Sequence, residues 1–393
     1  MTHCRLCDTP SVEMAFDFGE QPIVHHLLDR QDSVFETFQF IIGYCHNCSF
    51  LQMLNYPNPE ILYENYITLS SWKPQPHAKY FLENIARLFG LRQESKILEI
   101  GCNDGGFLEL IRSVGFLNVL GIEPTQDASR SAVEKGLPVI RTFYGLETID
   151  DLVALFPTPD LIVSRQVIEH IPDLNGFLSA ARIHLAPGGG LALEFPDHSM
   201  NFEQLDYSFW EEHVNYFTIH TIRQLLARHG FEIFHHESTL FSGKCLFVFA
   251  RRVDAASVST YFPHDERSAN RYIRAFPSFV THLHLFLDEQ TRNGPIVMYG
   301  CGSRSSNFIN LTRSSRFFNR FVDDQTEKQG KFAPGSFLKV TDSQHLDPTS
   351  PVALGVNSEN EFKVIKTKNL TRGFSVLPPS GLLPDFWKAL SRV

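Results

Sequence analysis

The sequence predicts an α/β protein that consists of a small metal-binding β module followed by two domains of alternating strands and helices. Three observations support this prediction: two Cys-x-x-Cys pairs near the N-terminus, alternation of strands and helices in the middle of the chain, and a second strand, glycine turn and helix near residue 300. Such alternation is typical of doubly wound parallel sheets. We place the three parts at residues 1–73, 74–250 and 251–393.

The composition is that of an ordinary globular protein. Of 393 residues, 43% are hydrophobic and 20% are charged, and 35 basic against 44 acidic side chains leave a net charge of −9. An acidic chain without a basic stripe argues against a nucleic-acid partner. No apolar run reaches the roughly 18 residues of a membrane-spanning helix, and the N-terminus lacks the pattern of a secretory signal. We therefore expect a cytoplasmic protein with neither nucleic acid nor membrane as a partner.

Four of the seven cysteines form the first motif. Cys4 and Cys7 make one Cys-x-x-Cys pair, and after 37 intervening residues Cys45 and Cys48 make a second. Each pair can chelate from one tight turn, and four thiolates fill the tetrahedral shell of Zn²⁺. A filled shell leaves no open position for water, so we expect one structural zinc ion per chain. Free thiols or a redox pair are the alternative, which two matched pairs disfavour.

Periodicity and turn signals predict the remaining elements. Short apolar runs such as residues 38–44 are typical of β-hairpins around the metal, and residues 74–89 form an amphipathic pattern. The central domain contains predicted strands at 96–100, 119–123, 161–164 and 191–195, with helices at 107–114 and 176–185. The last part contains predicted helices at 268–276 and 278–290, separated by a break or kink at Pro277, and strands at 296–299, 321–324 and 352–356.

A glycine loop follows the first central strand. Residues 99–106 read Glu-Ile-Gly-Cys-Asn-Asp-Gly-Gly, which is Gly-x-x-x-Gly rather than the dinucleotide pattern Gly-x-Gly-x-x-Gly. Glu123 ends the next strand, where an acidic residue can bind ribose hydroxyls. With residues 166–173 and 185–190, these features fit S-adenosylmethionine (SAM) better than NAD. The candidate cofactor-binding residues are Glu99, Gly101, Asn103, Asp104, Gly105, Glu123, Pro124, Gln166 and, from an earlier segment, Ser71.

Two further segments supply candidate catalytic residues. Residues 210–217 place Glu212 and His213 after a central strand, at the sheet edge where ligands bind. A histidine supported by a carboxylate can act as a general base, although most of the 17 histidines must be structural or solvated. Residues 66–71, followed by His77, can form a lid or a cofactor contact; a linker whose serines cap a helix is the equal alternative.

Together these residues resemble the zinc-containing, SAM-dependent sugar C-methyltransferases of deoxysugar pathways. The resemblance covers nearly the whole chain. The segments that carry it are 17–22, 66–77, 99–105, 169–172, 212–217, 299–302 and 323–335, besides the two cysteine pairs.

The resemblance implies an N-terminal zinc module, a central class I SAM methyltransferase (Rossmann-like) domain and a C-terminal Rossmann-like domain that embraces a nucleotide-linked sugar. It also implies that a histidine next to a glutamate removes a proton from the carbon beside a ketone. Carried onto this chain, His213 is the base, Glu212 its partner or an acceptor ligand, Tyr216 a hydrogen-bonding neighbour, and Tyr66 a further catalytic residue. We expect a monomer.

Three departures from the family pattern concern the acceptor. Trp210 stands where the family has tyrosine, Thr68 replaces a second tyrosine after Tyr66, and residues 241–245 replace a His-Gly-Gly-Ser segment. Two alternatives therefore stay open at this point. One is methylation of a nitrogen or an oxygen of another biosynthetic intermediate, and the other is a non-catalytic protein that binds SAM and zinc.

Overall fold

The computed structural model describes residues 2–62, 76–241, 243–253, 263–344, 346–390 and 392. Within these residues the chain forms three β-sheets, one for each predicted part. The four N-terminal cysteines lie at one end of the first sheet. The candidate active site lies where the first sheet meets the carboxyl edge of the second.

The N-terminal module is built on antiparallel strands. β1 (Val12–Pro22) pairs with β2 (Thr37–Cys45), and β2 pairs with β3 (Leu51–Met53). A short helix, α1 (Pro59–Leu62), follows. The hairpins predicted around the metal are confirmed, because Cys45 ends β2 and Cys48 lies in the turn that leads to β3.

The central domain contains a seven-stranded sheet. Its elements are α2 (Pro76–Phe89), β4 (Ile97–Ile100), α3 (Gly106–Ser113), β5 (Val119–Ile122), α4 (Gln126–Glu134), β6 (Val139–Ile140), α5 (Ile149–Leu155), β7 (Leu161–Arg165), α6 (Leu174–His184), β8 (Gly190–Pro196), α7 (Ser199–Gln204), β9 (Asn215–Tyr216), α8 (Ile219–Arg228), β10 (Phe231–Leu240) and β11 (Lys244–Arg252). The strand order is β6-β5-β4-β7-β8-β11-β10, parallel from β6 to β8 and antiparallel at β11 and β10. β4 and β5 are buried along their whole length, as expected for strands covered on both faces.

β9 belongs to the central part of the sequence but pairs with the N-terminal sheet. Leu51 lies opposite Tyr216, and Gln52 lies opposite Asn215. The four-stranded sheet β1-β2-β3-β9 therefore contains residues from both parts. The segment immediately before β9 contains His213. The pairing of β9 places this segment next to the edge of the N-terminal sheet.

The C-terminal domain contains a second, entirely parallel sheet. Its elements are α9 (Pro263–Thr291), β12 (Ile296–Tyr299), α10 (Ser303–Leu311), β13 (Phe318–Val322), β14 (Val340–Thr341), β15 (Val352–Leu354), α11 (Ser358–Lys368), β16 (Gly373–Ser375) and α12 (Asp385–Leu390). The strand order is β14-β13-β12-β15-β16. The chain adds strands on one side of β12 and then on the other, which is the Rossmann-like arrangement.

The predicted break at Pro277 is wrong, because α9 runs unbroken through it, whereas the alternative, a kink, stays a prediction. A proline inside a helix loses one backbone hydrogen bond and costs about 3 kcal/mol. Here Pro277 is exposed, while Tyr272 and Phe279 on either side of it are fully buried. Their rings pack on Tyr207 and Trp387, at centroid distances of 4.4 and 4.5 Å. This continuous buried face keeps the helix intact.

One aromatic core joins the three parts. Phe16 and Phe18 of β1 contact Phe209 of the central domain and Phe276 of α9, with ring centroids 5.4–5.6 Å apart. β11 continues to Arg252, two residues past the expected boundary at 250, and the boundary at residues 73–74 lies outside the described residues. None of the described helices is both long and apolar enough to cross a membrane.

Candidate active site and metal centre

The four N-terminal cysteines form one compact cluster. The Sγ atoms of Cys4 and Cys48 are 3.6 Å apart, those of Cys7 and Cys45 are 3.7 Å apart, and all four lie within 4.8 Å of one another. A tetrahedral ion with Zn–S bonds of about 2.3 Å separates its sulfurs by about 3.8 Å. The cluster therefore fits zinc, as the spacing of the pairs predicts.

The two cysteine turns have the same backbone geometry. Asp8 and Ser49, each four residues after the first cysteine of its pair, adopt positive φ angles of 59° and 61°. Their N–H groups donate to the carbonyls of Cys4 and Cys45, at 2.8 and 2.9 Å. The hydroxyl of Ser11 lies 3.2 Å from the Sγ of Cys45 and can orient this ligand. The filled shell indicates a structural metal.

The glycine loop forms a tight turn between β4 and α3. Gly101 and Gly105 have φ angles of 71° and 79°, and a Cβ on either would lie within 2.4 Å of the side chain of Val167 or Leu137. Asn103 also adopts a positive φ of 50°. The backbone can therefore approach a ligand closely at the N-terminus of α3.

Glu123 ties this loop to the end of β5. Its carboxylate accepts hydrogen bonds from the backbone N–H of Asn103 at 2.9 Å and from the N–H and hydroxyl of Thr125 at 2.9 and 2.6 Å. Pro124 lies between Glu123 and Thr125 in the sequence. Asp104 turns the other way, because its carboxylate pairs with Lys135 at 2.8 Å. Glu123 therefore contacts the loop directly, whereas the carboxylate of Asp104 is paired with a side chain of the following helical segment.

Glu99 is a buried carboxyl group at the centre of this region. Burial raises its pKa to about 8, although Arg165 opposes the shift. Its Oε2 has no hydrogen-bond partner on another described residue. An unpartnered buried carboxyl fits the cationic amino group of the SAM methionine moiety. SAM, when bound, supplies an electrophilic methyl group on its sulfonium.

The structure reveals a second polar cluster beside the loop that sequence reasoning missed in part. The carboxylate of Glu194 in β8 accepts hydrogen bonds from the guanidinium of Arg165 at 2.6 Å, the imidazole of His77 at 3.0 Å and the side-chain amide of Gln166 at 3.1 Å. Burial would raise the pKa of Glu194, but Arg165 and His77 hold it at about 2. The guanidinium of Arg165 also lies 4.5 Å from the ring centre of Phe107 on α3.

Gln166 and His77 were expected near the cofactor, whereas Glu194 and Arg165 were not. Their places in the carboxyl-terminal halves of β7 and β8 were the available signal, since ligands of such sheets bind at the carboxyl ends of the strands. Two other expected residues, Tyr66 and Ser71, lie outside the described residues.

His213 is buried among aromatic and titratable side chains. Its ring centroid is 4.2 Å from that of Trp210 and 4.9 Å from that of His170. Glu169, His170 and His213 bring one ligand atom each within 4.8 Å of one another. Burial, with help from His170 and His198, holds the pKa of His213 well below its usual range. The imidazole is therefore neutral near pH 7 and can accept a proton.

Glu212 was expected to be the partner of His213 or a ligand of the acceptor, but its contacts in the structure are with His25 and His170. The carboxylate of Glu212 lies 3.4 Å from Nδ1 of His25, and its backbone carbonyl accepts from His170 at 2.8 Å. Glu169 is the carboxyl group in the cluster with His213, and neither of its oxygens has a hydrogen-bond partner on another described residue. Burial raises the pKa of Glu169 well above its usual range.

His25 comes from the N-terminal module and was not predicted from the sequence. Nδ1 of His25 lies 3.2 Å from Glu211, and Nε2 donates to the carbonyl of Leu62 at 3.0 Å. Burial would lower the pKa of His25, but Glu211 and Glu212 raise it to about 9. Glu211 also accepts from the N–H of Val24 and from Asn307 of α10. One carboxylate thus connects all three parts of the chain.

Tyr216 was expected to be a hydrogen-bonding neighbour of His213, but its hydroxyl does not contact His213. The hydroxyl donates to the backbone carbonyl of Trp210 at 3.4 Å, and the ring packs on His198 at 4.7 Å between centroids. Its place in β9 explains the difference, because the strand pairing directs the side chain into the aromatic core. The Nε1 of Trp210 is buried without a hydrogen-bond partner in the described part of the chain.

The glycine loop and His213 are linked through the segment after β7. Val167 packs against Gly101, and two residues later the carbonyl of Glu169 accepts from the N–H of Val214 at 2.9 Å. The amide of Asn215 donates to the carbonyls of Ile168 and Ile171 at 3.2 and 2.7 Å. The cofactor loop and the candidate base therefore border the same edge of the central sheet.

Two family models match separate parts of the chain. The model of a methyltransferase domain matches residues 75–236, and that of a zinc binding domain matches residues 4–63. These matches agree with the central and N-terminal sheets of the structure.

Comparison with individual proteins extends the similarity beyond these two domains. The C-methyltransferase NovU of Streptomyces niveus is 26% identical over 359 residues, which are 86% of this chain and 84% of that protein. A ubiquinone biosynthesis O-methyltransferase of Photorhabdus laumondii is 30% identical over 115 residues, but these are 28% of this chain and 45% of that protein. The second relative is thus matched over less than half of its length.

A solved SAM-dependent methyltransferase from Clostridium acetobutylicum matches 48% of this chain and 96% of its own, at 15% identity and a TM-score of 0.38. The two family models, the long match to a C-methyltransferase, the cysteine cluster and the glycine loop agree with one another. The chain is therefore a SAM-dependent methyltransferase with an N-terminal zinc-binding domain, and over 86% of its length it is similar to a C-methyltransferase.

Proposed function

We propose that this enzyme methylates a carbon next to the ketone of a keto-deoxysugar linked to a nucleoside diphosphate. The observation that carries the proposal is the buried, neutral imidazole of His213 beside Glu169 and His170. A carbon acceptor needs a base, whereas the methyl donor is already electrophilic. The similarity to a C-methyltransferase over 86% of the chain supports the same class of acceptor atom.

The proposed role of His213 is to take the proton from the carbon beside the ketone. The electron pair of that C–H bond moves into an enolate, which makes the carbon nucleophilic. Glu169 has a carboxyl oxygen within 4.8 Å of an imidazole nitrogen of His213, and this oxygen would accept a hydrogen bond from the imidazolium that forms. Glu99, Glu123 and the glycine loop would hold the cofactor, and Gln166 would border both sites.

The C-terminal domain is the proposed site for the nucleotide. β12 ends at Tyr299, and a turn with Gly300 at a φ of 100° leads into α10. The carboxylate of Asp323, after β13, accepts from the N–H of Cys301 at 2.9 Å. These residues lie at the carboxyl ends of the parallel strands, where the strand order switches from one side of β12 to the other. Nucleotides bind at this point in such folds.

We propose that the enzyme acts as a monomer. We place it in the cytoplasm. Size-exclusion chromatography with light scattering tests the first point; a stable dimer would contradict it.

Isotope exchange tests the role of His213. The enzyme with S-adenosylhomocysteine and a keto-deoxysugar nucleotide in D₂O should exchange the proton on the carbon beside the ketone. Replacement of His213→Asn should slow exchange and methyl transfer by about 10²–10⁴, the usual contribution of a general base, with SAM affinity retained. His282→Asn, at an exposed position of α9, serves as the control.

The similarity to ubiquinone biosynthesis O-methyltransferases supports a second candidate, methylation of an oxygen. An oxygen or nitrogen acceptor has no carbon-bound proton to exchange. Methyl transfer without exchange, and with near-normal turnover in His213→Asn, would favour this second candidate over the first.

A further inference from the structure

Hydrogen bonds to neighbouring elements hold the segment that carries His213 in place. It lies between α7 and the two-residue strand β9, and His213 itself donates its N–H to the carbonyl of Trp210 at 3.1 Å. The central domain contributes the carbonyl of Glu169, which accepts from Val214. The other backbone contacts of Val214 come from the zinc module.

Two contacts from the zinc module converge on the carbonyl of Val214. The N–H of Met53, at the end of β3, donates to it at 3.0 Å. Nη1 of Arg5 donates to the same oxygen at 2.8 Å. The residue directly after His213 is therefore fixed by both a strand edge and a guanidinium group.

Arg5 lies inside the first cysteine turn, between Cys4 and Cys7. Its backbone N–H donates to the side chain of Gln52 at 2.9 Å, and its second guanidinium nitrogen donates to the carbonyl of Met53. The planar guanidinium thus bridges Met53 and Val214, which a single point charge cannot do in the same way. A metal that fixes the two cysteines also fixes the backbone from which this bridge extends.

We propose that Arg5 is a positioning residue through which the zinc module holds His213 in place. The proposal deepens the proposed function, on which it rests for the role of His213. In this account the structural zinc takes no part in the chemistry. It sets the geometry of the cysteine turn, and Arg5 transmits that geometry to the backbone beside the base.

Arg228 offers a matched comparison. It is a second arginine in contact with the same turn, since its Nη1 donates to the carbonyl of Cys7 at 3.1 Å. It belongs to α8, and its described contact does not involve the segment that carries His213. Loss of Arg228 removes a contact of the zinc module while it leaves the bridge to Val214 intact.

Protonation of His213 provides a readout of its position. The ring faces Trp210, His170, His198 and the carboxyl of Glu169, and burial keeps the imidazole neutral. A protonated imidazole quenches the fluorescence of an adjacent tryptophan, and the ring of Trp210 lies 4.2 Å away. If the segment loosens and water enters, the protonation midpoint must move up toward the ordinary histidine value of about 6.5.

The experiment compares pH titrations of tryptophan fluorescence in wild type, Arg5→Ala, Arg5→Lys and Arg228→Ala, each after metal analysis. The signal of His213 is the part of the quenching that is absent from His213→Asn. We expect the midpoint to rise by about one pH unit in Arg5→Ala, by less in Arg5→Lys, and not at all in Arg228→Ala. The acid limb of the methyl-transfer rate should move in the same direction.

An unchanged midpoint in both Arg5 variants, with zinc retained, would overturn the proposal, as would an equal shift in Arg228→Ala. A general loss of folded protein would lower activity equally at every pH and would not move the midpoint. The fluorescence titration needs no acceptor, so it remains decisive if the proposed keto-sugar is not the substrate. Absent proton exchange in wild type, by contrast, would count against the proposed function alone.

Discussion

At the scale of single residues, the local motifs of the sequence predicted which residues meet around the glycine loop, but not the contacts around His213. Gly101, Gly105 and Glu123 lie within one strand–loop–helix–strand unit, so their spacing along the chain determines how they meet. His25 and Glu211 lie 186 residues apart, and His77 and Glu194 lie 117 apart. No local pattern reports such pairs, because each forms only when distant elements pack together. The first pair joins two domains, and the second joins α2 and β8 within the central domain.

Glu123 should be essential for SAM affinity. Its carboxylate orders the backbone of Asn103, and in the proposed function it receives the ribose hydroxyls of the cofactor. Glu123→Ala should weaken SAM binding by roughly one to two orders of magnitude, since a charge-assisted hydrogen bond contributes about 1.5–3 kcal/mol. Isothermal titration calorimetry measures the effect, with Glu109→Ala on the exposed face of α3 as the control. Equal affinities in the two variants would show that Glu123 does not face the cofactor.

At the scale of elements, the apolar runs predicted β4, β5, β7 and β8 well, since buried parallel strands read as continuous apolar segments. β10 was missed because its buried and exposed residues alternate and include His235, His236 and Glu237. Pro277 misled the prediction because burial of the residues around it outweighs its local preference. β9 is two residues long, and its partner strand lies in another domain.

The zinc-bound turn between β2 and β3 should be needed for folding of the N-terminal sheet. Cys45→Ser removes one of four thiolates that close the metal shell. We expect the purified variant to lose its zinc and its yield of folded protein to fall. Cys301→Ser changes a buried cysteine of the C-terminal domain that is remote from the cluster and should keep one zinc per chain. Full zinc occupancy in Cys45→Ser would contradict the assignment of the ligand.

At the scale of the whole molecule, a few polar side chains join parts of the chain that are distant in sequence. Arg304 of α10 pairs with Asp206 at 2.7 Å, and both side chains are buried. Glu211 receives Val24 and His25 from one side and Asn307 from the other. The candidate site is therefore complete only when the three parts are docked, which explains why the sequence predicted the parts but not their contacts.

His25 should contribute stability that depends on pH. Its folded pKa of about 9 exceeds the ordinary value of 6.5, so the contribution is present in full below about pH 6.5 and is lost as the pH rises through about 9. Removal of one member of a buried ion pair costs about 3–5 kcal/mol. His25→Gln should lower the free energy of unfolding by this amount at pH 6 and by much less at pH 10.

Urea unfolding at both pH values measures this difference, with His282→Gln as the exposed control. A destabilisation of His25→Gln that is the same at both pH values would contradict the ion pair.

The proposed function requires that the enzyme transfers the methyl group of SAM to carbon. The most direct measurement uses SAM with a ¹³C-labelled methyl group and a nucleoside diphosphate keto-deoxysugar, followed by NMR of the product. We predict a new methyl group bonded to the ring carbon beside the ketone, and its loss in His213→Asn. A labelled methyl on oxygen or nitrogen, or no transfer to any keto-deoxysugar nucleotide by an enzyme that binds SAM, would contradict the account.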